Sequence, residues 1–164
     1  MFKQGDFIMY SNYGACSIDE IKEKITDKVN RTYYVMHPIN QKDSKIITPI
    51  DNKKVKMRAI MAPKDAEKIF SAISFSNVIR ITDKKEREQV YAKILKEGNP
   101  SEIVEIINTL LIEEKEKIEE GKRLSAIDGK YLEKAELLLY TELSVALNMS
   151  IEQIKERVEL NLLQ

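Results

Sequence analysis

The sequence predicts an α+β protein: a small, bent antiparallel β-sheet or barrel at the N-terminus, then an all-α bundle of about five helices. Three observations predict it. Within about the first sixty residues, short runs of β-branched and aromatic residues alternate with clusters of turn formers. From Ile60 onward the apolar spacing changes from two to three and four. In that second half, cap residues and glycines recur where helices should start and stop.

The opening stretch, Lys3 to Ile21, reads as strand, turn, strand. Gly5-Asp6 and Asn12-Tyr13-Gly14 are turn clusters, and Phe7 to Tyr10 between them is a strand. Ala15 to Ile21 alternates, with Cys16, Ile18 and Ile21 apolar and a slip near Glu20 that suits a β-bulge. Three more strands follow: Thr32 to Met36, Lys45 to Ile50 with Pro49 suiting an edge, and Val55 to Arg58. The connections are Glu23 to Arg31, Asn40 to Ser44 and Asp51 to Lys54. Four or five short strands in so few residues suggest a strongly bent sheet.

The first helix starts at Pro63 and turns Ala66, Ile69, Phe70 and Ile73 inward. Ser74 to Thr82 is a loop. Asp83 and Glu86 form a capping pair for a second helix running to Glu97, with Val90, Tyr91, Ile94 and Leu95 inward and Gly98 ending it. Asn99 and Pro100 start a third helix that buries Ile103, Ile106, Ile107, Leu110 and Leu111, with Ile118 a further candidate for the interior. Its charged end, Glu113 to Glu120, projects into water, and Gly121 stops it. Ser125 and Asp128 cap the fourth helix, which reaches Asn148. Leu137 to Leu147 is apolar on most sides, which makes this the central helix. Ser150 and Gln153 cap a last helix with Ile151, Ile154, Val158 and Leu162 inward. The boundary falls between Arg58 and Pro63, giving domains of residues 1–60 and 61–164.

Composition narrows the function. A chain of 164 residues that is 43% hydrophobic and 33% charged can bury a core and is not disordered. No apolar window is long enough to span a bilayer, and the N-terminus goes straight into Gly5-Asp6 with no signal peptide. One cysteine excludes an internal disulfide and fits a reducing cytosol, so a cytoplasmic location is expected. Glycine-rich phosphate loops and metal-ligand clusters are absent, so no cofactor, metal or small-molecule substrate is expected. Cys16 and His37 are the one conceivable nucleophile pair. A cysteine in an alternating strand is usually core, and no third residue is placed to orient the pair, so enzymatic activity is not expected.

Net charge is zero, but residues 1–58 carry 11 Lys+Arg against 7 Asp+Glu, a surplus of +4, and the remainder is −4. Two basic clusters stand out in the acidic half. Lys84, Lys85 and Arg87 open the second helix; Lys122, Arg123, Lys130 and Lys134 surround the start of the fourth, with Lys130 and Lys134 on one face. Such helix starts can grip phosphates. With Glu86, Glu88 and Glu133 nearby they also read as ordinary solvated surface.

The order of parts, a β module beginning Phe2-Lys3 with Gly5-Asp6 and Tyr10 and then a helical module, resembles the CarD/CdnL family of bacterial transcription regulators. Tyr13-Gly14, Ile18, Ile21, Tyr33-Tyr34-Val35, Ile46-Ile47-Thr48-Pro49 and Met57-Arg58 carry the likeness in the first half. Gly98-Asn99, Leu124-Ser125, Leu132, Lys134-Ala135, Leu138, Glu142-Leu143 and Ala146 carry it in the second.

The resemblance implies that residues 1–60 form a Tudor-like module that docks on the RNA polymerase β subunit, as in the transcription-repair coupling factor. Docking would run sheet edge to sheet edge through Lys45, Ile46, Ile47 and Pro49, with Lys24 nearby. Positions matching Lys24 and Ile47 are arginine in some relatives, so the contact cannot be transferred side chain by side chain. Alternation assigns either Ile46 or Ile47 to the interior.

The resemblance also implies that the helical module touches promoter DNA at the melted bubble, through Lys84, Lys85, Arg87, Lys130 and Lys134. Several members wedge a tryptophan into the minor groove. This chain has none, and the matching position is Lys84. A position that is basic in relatives is Glu136 here. The implied function is a polymerase-bound regulator, nucleoid-associated through the enzyme, that stabilises the open promoter complex by weak DNA contacts. The alternative is a polymerase-docking adaptor whose helices recruit another protein and leave DNA untouched.

Overall fold

The computed structural model describes residues 1–25 and 27–163 and resolves the chain into two compact units, Met1–Ile60 and Met61–Gln164. The first is one antiparallel sheet of five strands: β1 (Phe7–Tyr10), β2 (Ala15–Ile25), β3 (Asn30–Pro38), β4 (Ile46–Pro49) and β5 (Met57–Ala59). Their order is β4-β3-β2-β1-β5, so the sheet has two edges, β4 and β5.

One face gathers Ile8, Tyr10, Cys16, Ile18, Tyr34 and Met36 into a small core, with Phe2, Ile46, Val55 and Met57 packed at its margin. Register explains the set: Ile8 pairs with Cys16, Ile18 with Met36, and Met36 with Ile46. The ladder shifts between Ile18 and Glu20, the expected bulge. A 3-10 turn, Ser11–Tyr13, joins β1 to β2. It closes on Gly14, whose φ of 77° and ψ of −149° lie in a region that a Cβ disfavours.

The strands differ in extent from the sequence reading. Five of the residues read as the polar connection Glu23 to Arg31 are ladder: Glu23 pairs with Thr32, Lys24 with Arg31, and Ile25 with Asn30. That stretch is exposed on both faces, so it carries no apolar alternation to announce a strand; residue 26 of the same stretch lies outside the described residues. β5 begins at Met57, and Val55 packs on the core without joining the ladder.

The second unit has five helices: α1 (Pro63–Ala72), α2 (Lys84–Glu97), α3 (Pro100–Glu119), α4 (Ala126–Leu147) and α5 (Ile151–Leu162). Each of the last four starts on a side-chain cap: Asp83, Asn99, Ser125 and Ser150, the last in a full capping box with Gln153. Gly98, at φ 73°, ends α2 in the left-handed conformation. Helix α4 is central and packs against all four others, with Ala135, Leu138, Leu139 and Leu143 buried.

Two buried polar side chains fix the path of the chain. Asn108, fully buried on α3, accepts from the Ser74 N–H (2.8 Å) and donates to the carbonyls of Ala72 (3.0 Å) and Ser76 (2.8 Å), stapling the loop after α1. Glu142 on α4 accepts from the Met61 N–H at 3.0 Å, at the entry to the bundle.

Candidate functional site

In the β unit, β4 pairs along one side with β3, through Met36–Ile46, Val35–Ile47, Tyr34–Thr48 and Tyr33–Pro49. Being an edge strand, it has no ladder partner on its other side among the described residues. Its side chains alternate. Ile46 packs on the core and Thr48 is buried, accepting at Oγ1 from Asn52 (3.0 Å), whereas Ile47 is 59% exposed. Ile46 is therefore the interior member of the pair and Ile47 the outward one. Lys45 precedes the strand and is exposed, and Pro49 ends it.

Lys24 is exposed on β2. With Val29, Asn30, Arg31, Tyr33 and Asp51 it lines an open depression of about 580 Å³. The depression reaches β4 through Tyr33, the partner of Pro49. Lys24 and the edge strand thus border one continuous surface.

Cys16 and His37 are not brought together. Cys16 lies opposite Pro38 while His37 lies opposite Ser17, so the two side chains occupy opposite faces of the sheet. Burial pushes the Cys16 thiol up to about 12, and the His37 imidazole lies 2.8 Å from the Asp19 carboxylate. The thiolate that nucleophilic chemistry requires is disfavoured at this position.

In the helical unit, Lys84 and Lys85 are exposed on the first turn of α2, beside the Asp83 cap. Lys130 is exposed and Lys134 half-buried, one turn apart on α4. Arg87 is differently placed from its neighbours. Its Nη2 donates to both oxygens of Asp128 (3.1 and 3.0 Å) and its Nη1 to Glu113 (3.3 Å), with the side chain 17% exposed. Its charge is committed inside the bundle, so it is a clamp between α2, α3 and α4 and not a free partner for phosphate.

The clamp nevertheless serves the surface. It holds the first turns of α2 and α4 side by side, which sets Lys84 and Lys85 near the start of the helix that carries Lys130. Tyr131 supports it, donating to the Glu88 carbonyl (3.4 Å) and meeting Tyr91 edge to face at 5.5 Å. The Tyr91 hydroxyl is buried without a hydrogen-bond partner among the described residues, and burial pushes the phenol up to about 12. Sequence reading missed the clamp because Arg87 and Asp128 are 41 residues apart; Asp128 carried a signal only as a cap.

Two family models match along the chain: the CarD-like/TRCF RID domain over residues 2–61, and the CarD C-terminal domain over residues 68–159. The chain belongs to the CarD family. Among curated proteins it is 28% identical to the Bacillus subtilis (strain 168) protein named "Putative transcription factor YdeB", over 94% of this chain and 98% of that one. Membership makes this CarD-family protein a transcription regulator. No helix among the described residues is long and apolar enough to cross a membrane.

Proposed function

We propose that this protein binds the RNA polymerase β subunit through its β unit and stabilises the open promoter complex through weak contacts between its helical unit and promoter DNA. The observation that carries the reading is the match of both halves to CarD-family domains in family order. The free edge of β4 supports the docking step. An exposed strand edge offers backbone donors and acceptors to a partner strand, and Ile47 adds an outward apolar contact. Lys24, Lys45, Ile46, Ile47 and Pro49 are the residues assigned to it, with Ile46 acting from within by holding the strand in register.

Lys84, Lys85, Lys130 and Lys134 are the DNA-facing set. Asp83 and Glu86 on the same turn of α2 offset part of the lysine charge. With no tryptophan to wedge between bases, intrinsic DNA affinity is low. Docking on polymerase compensates by raising the local concentration, so contacts too weak to hold alone still count. Opening is then favoured by population shift: the bound protein interacts better with the open state than the closed one.

The test is the lifetime of open complexes on a promoter, measured with and without the protein. The wild type should lengthen it. Lys84→Glu, Lys85→Glu and Lys130→Glu together should abolish the effect while leaving the thermal melt unchanged. A triple variant that lengthens the lifetime as well as wild type overturns the DNA-facing assignment.

A further inference from the structure

The helical unit has a second surface of opposite character. At the far end of the α3–α4 hairpin, Glu114, Ile118, Leu124, Leu132, Glu133 and Glu136 line an open groove of about 550 Å³. Its floor is apolar: Leu132 is nearly buried, Leu124 packs on the bundle core, and Ile118, a candidate for the interior from its spacing, instead stands 64% exposed because the charged end of α3 runs out beyond the core. Its rim is acidic. None of the three glutamates has a salt-bridge partner among the described residues, and Arg123 is the one cation that lines the groove.

The carboxylates also act on one another. Burial pushes Glu136 up to about 7, and the charges of Glu114 and Glu133 push the same way, against the pull of Lys155. At about 100° per residue, Gly129, Leu132, Glu133 and Glu136 share one face of α4, and Lys130 and Lys134 lie on the adjoining one, with Lys130 one turn before Glu133. The groove and the basic surface are therefore neighbouring faces of α4 with different lining residues.

We propose that this groove docks a short amphipathic helix of a partner protein, with Leu- or Ile-type anchors on its apolar side and Lys or Arg along its polar edge. A cleft between two antiparallel helices has the shape to seat a third. Charge complementarity chooses the occupant. Phosphate groups of nucleic acid or lipid would meet the Glu114 and Glu133 carboxylates, whereas a cationic side chain beside Glu133 and Glu136 relieves the repulsion between them and favours the ionised form of Glu136. This goes beyond polymerase docking and DNA contact, and it supplies a function for the acidic character of the helical half.

The test uses two labelled helical peptides and the full chain. One peptide carries leucine at i, i+3 and i+4 with flanking lysines, and the other replaces each lysine with glutamate. Binding is followed by fluorescence anisotropy and by amide NMR shifts. The lysine peptide should bind and shift Ile118, Leu124, Leu132 and Glu136, and the glutamate peptide should not bind. Ile118→Glu, and Glu133→Lys with Glu136→Lys, should each weaken binding by about tenfold. Glu152→Lys, a charge change equal to each of those two reversals taken singly, at an exposed position on α5, should leave it unchanged.

Shifts spread over the whole acidic surface, or an equal loss with Glu152→Lys, would overturn the proposal in favour of net charge alone. Sedimentation equilibrium addresses the remaining occupant: a dimer abolished by Ile118→Glu would assign the groove to a second copy of this chain. Ile118 is exposed, so its variant should keep its melting profile, which separates lost docking from lost folding.

Discussion

The two units hold together by different means. The β unit has a small core on one face of a five-stranded sheet and leaves strand edges and a long exposed hairpin to solvent. The helical unit surrounds an apolar central helix and buries charge: Arg87, Asp128 and Glu113 form an ion-pair network among three helices. What the β unit offers a partner is backbone, set by register. What the helical unit offers is side-chain charge, set by how the helices are clamped. Mutations should therefore act on the first mainly through binding and on the second mainly through stability.

The largest effect should come from the clamp. Asp128→Ala leaves Arg87 half-paired in a buried site, because its Nη2 loses both acceptors and Glu113 reaches only Nη1. Breaking a buried ion pair from one side costs about 3 kcal/mol. Thermal denaturation should show that loss, and hydrogen exchange should place it in α2 and α4 with β1–β3 amides unchanged. Equal loss of protection in both units would break the contrast.

Next is the Asn108 staple. Asn108→Ala removes three hydrogen bonds and strands the Ser74 N–H and two carbonyls, with a cost of about 2 kcal/mol. The amide of Ser74 should exchange much faster than in wild type. An unchanged rate would mean that the α1–α2 loop is held by something else.

A smaller effect should follow pH. The folded state holds the Glu136 proton more tightly than the unfolded chain, since its carboxyl is pushed from 4.5 to about 7. Stability should therefore fall as pH rises through that interval and level off above it. Glu136→Gln cannot ionise, so it should be more stable than wild type by about 1 kcal/mol at pH 8, after allowance for solvent screening, and no more stable at pH 4. Denaturant titrations at the two pH values measure the difference, and an equal difference at both would assign the effect to packing.

The parts of this structure visible in the sequence are those written in neighbouring residues. Asp83, Asn99-Pro100, Ser125 and Ser150 with Gln153 announce helix starts because each cap bonds to backbone within three residues. The bulge at Glu20 is local in the same way. The clamp is not, because nothing near Arg87 specifies Asp128. Nor is the extension of β2 and β3 to Ile25 and Asn30, where pairing continues after alternation has ended. Of the surface on β4, the sequence named the strand but left Ile46 and Ile47 as equals, and only pairing to Met36 and Val35 separates them.

That separation gives the last and smallest effect on stability, and the sharpest on binding. Ile47→Glu changes an exposed side chain, so its effect on unfolding should lie within about 0.5 kcal/mol. Ile46→Ala, one residue away in sequence but facing the core, should cost about 1–2 kcal/mol by lost burial. Against an isolated polymerase β fragment the order should invert. Ile47→Glu should weaken binding about tenfold or more in a calorimetric titration, because it sets an unpaired carboxylate in the contact. Ile46→Ala should weaken binding only as far as it loosens the strand. If Ile47→Glu binds as well as wild type while Ile46→Ala binds worse, the outward face of β4 is not the contact, and the free backbone edge alone would have to carry the docking.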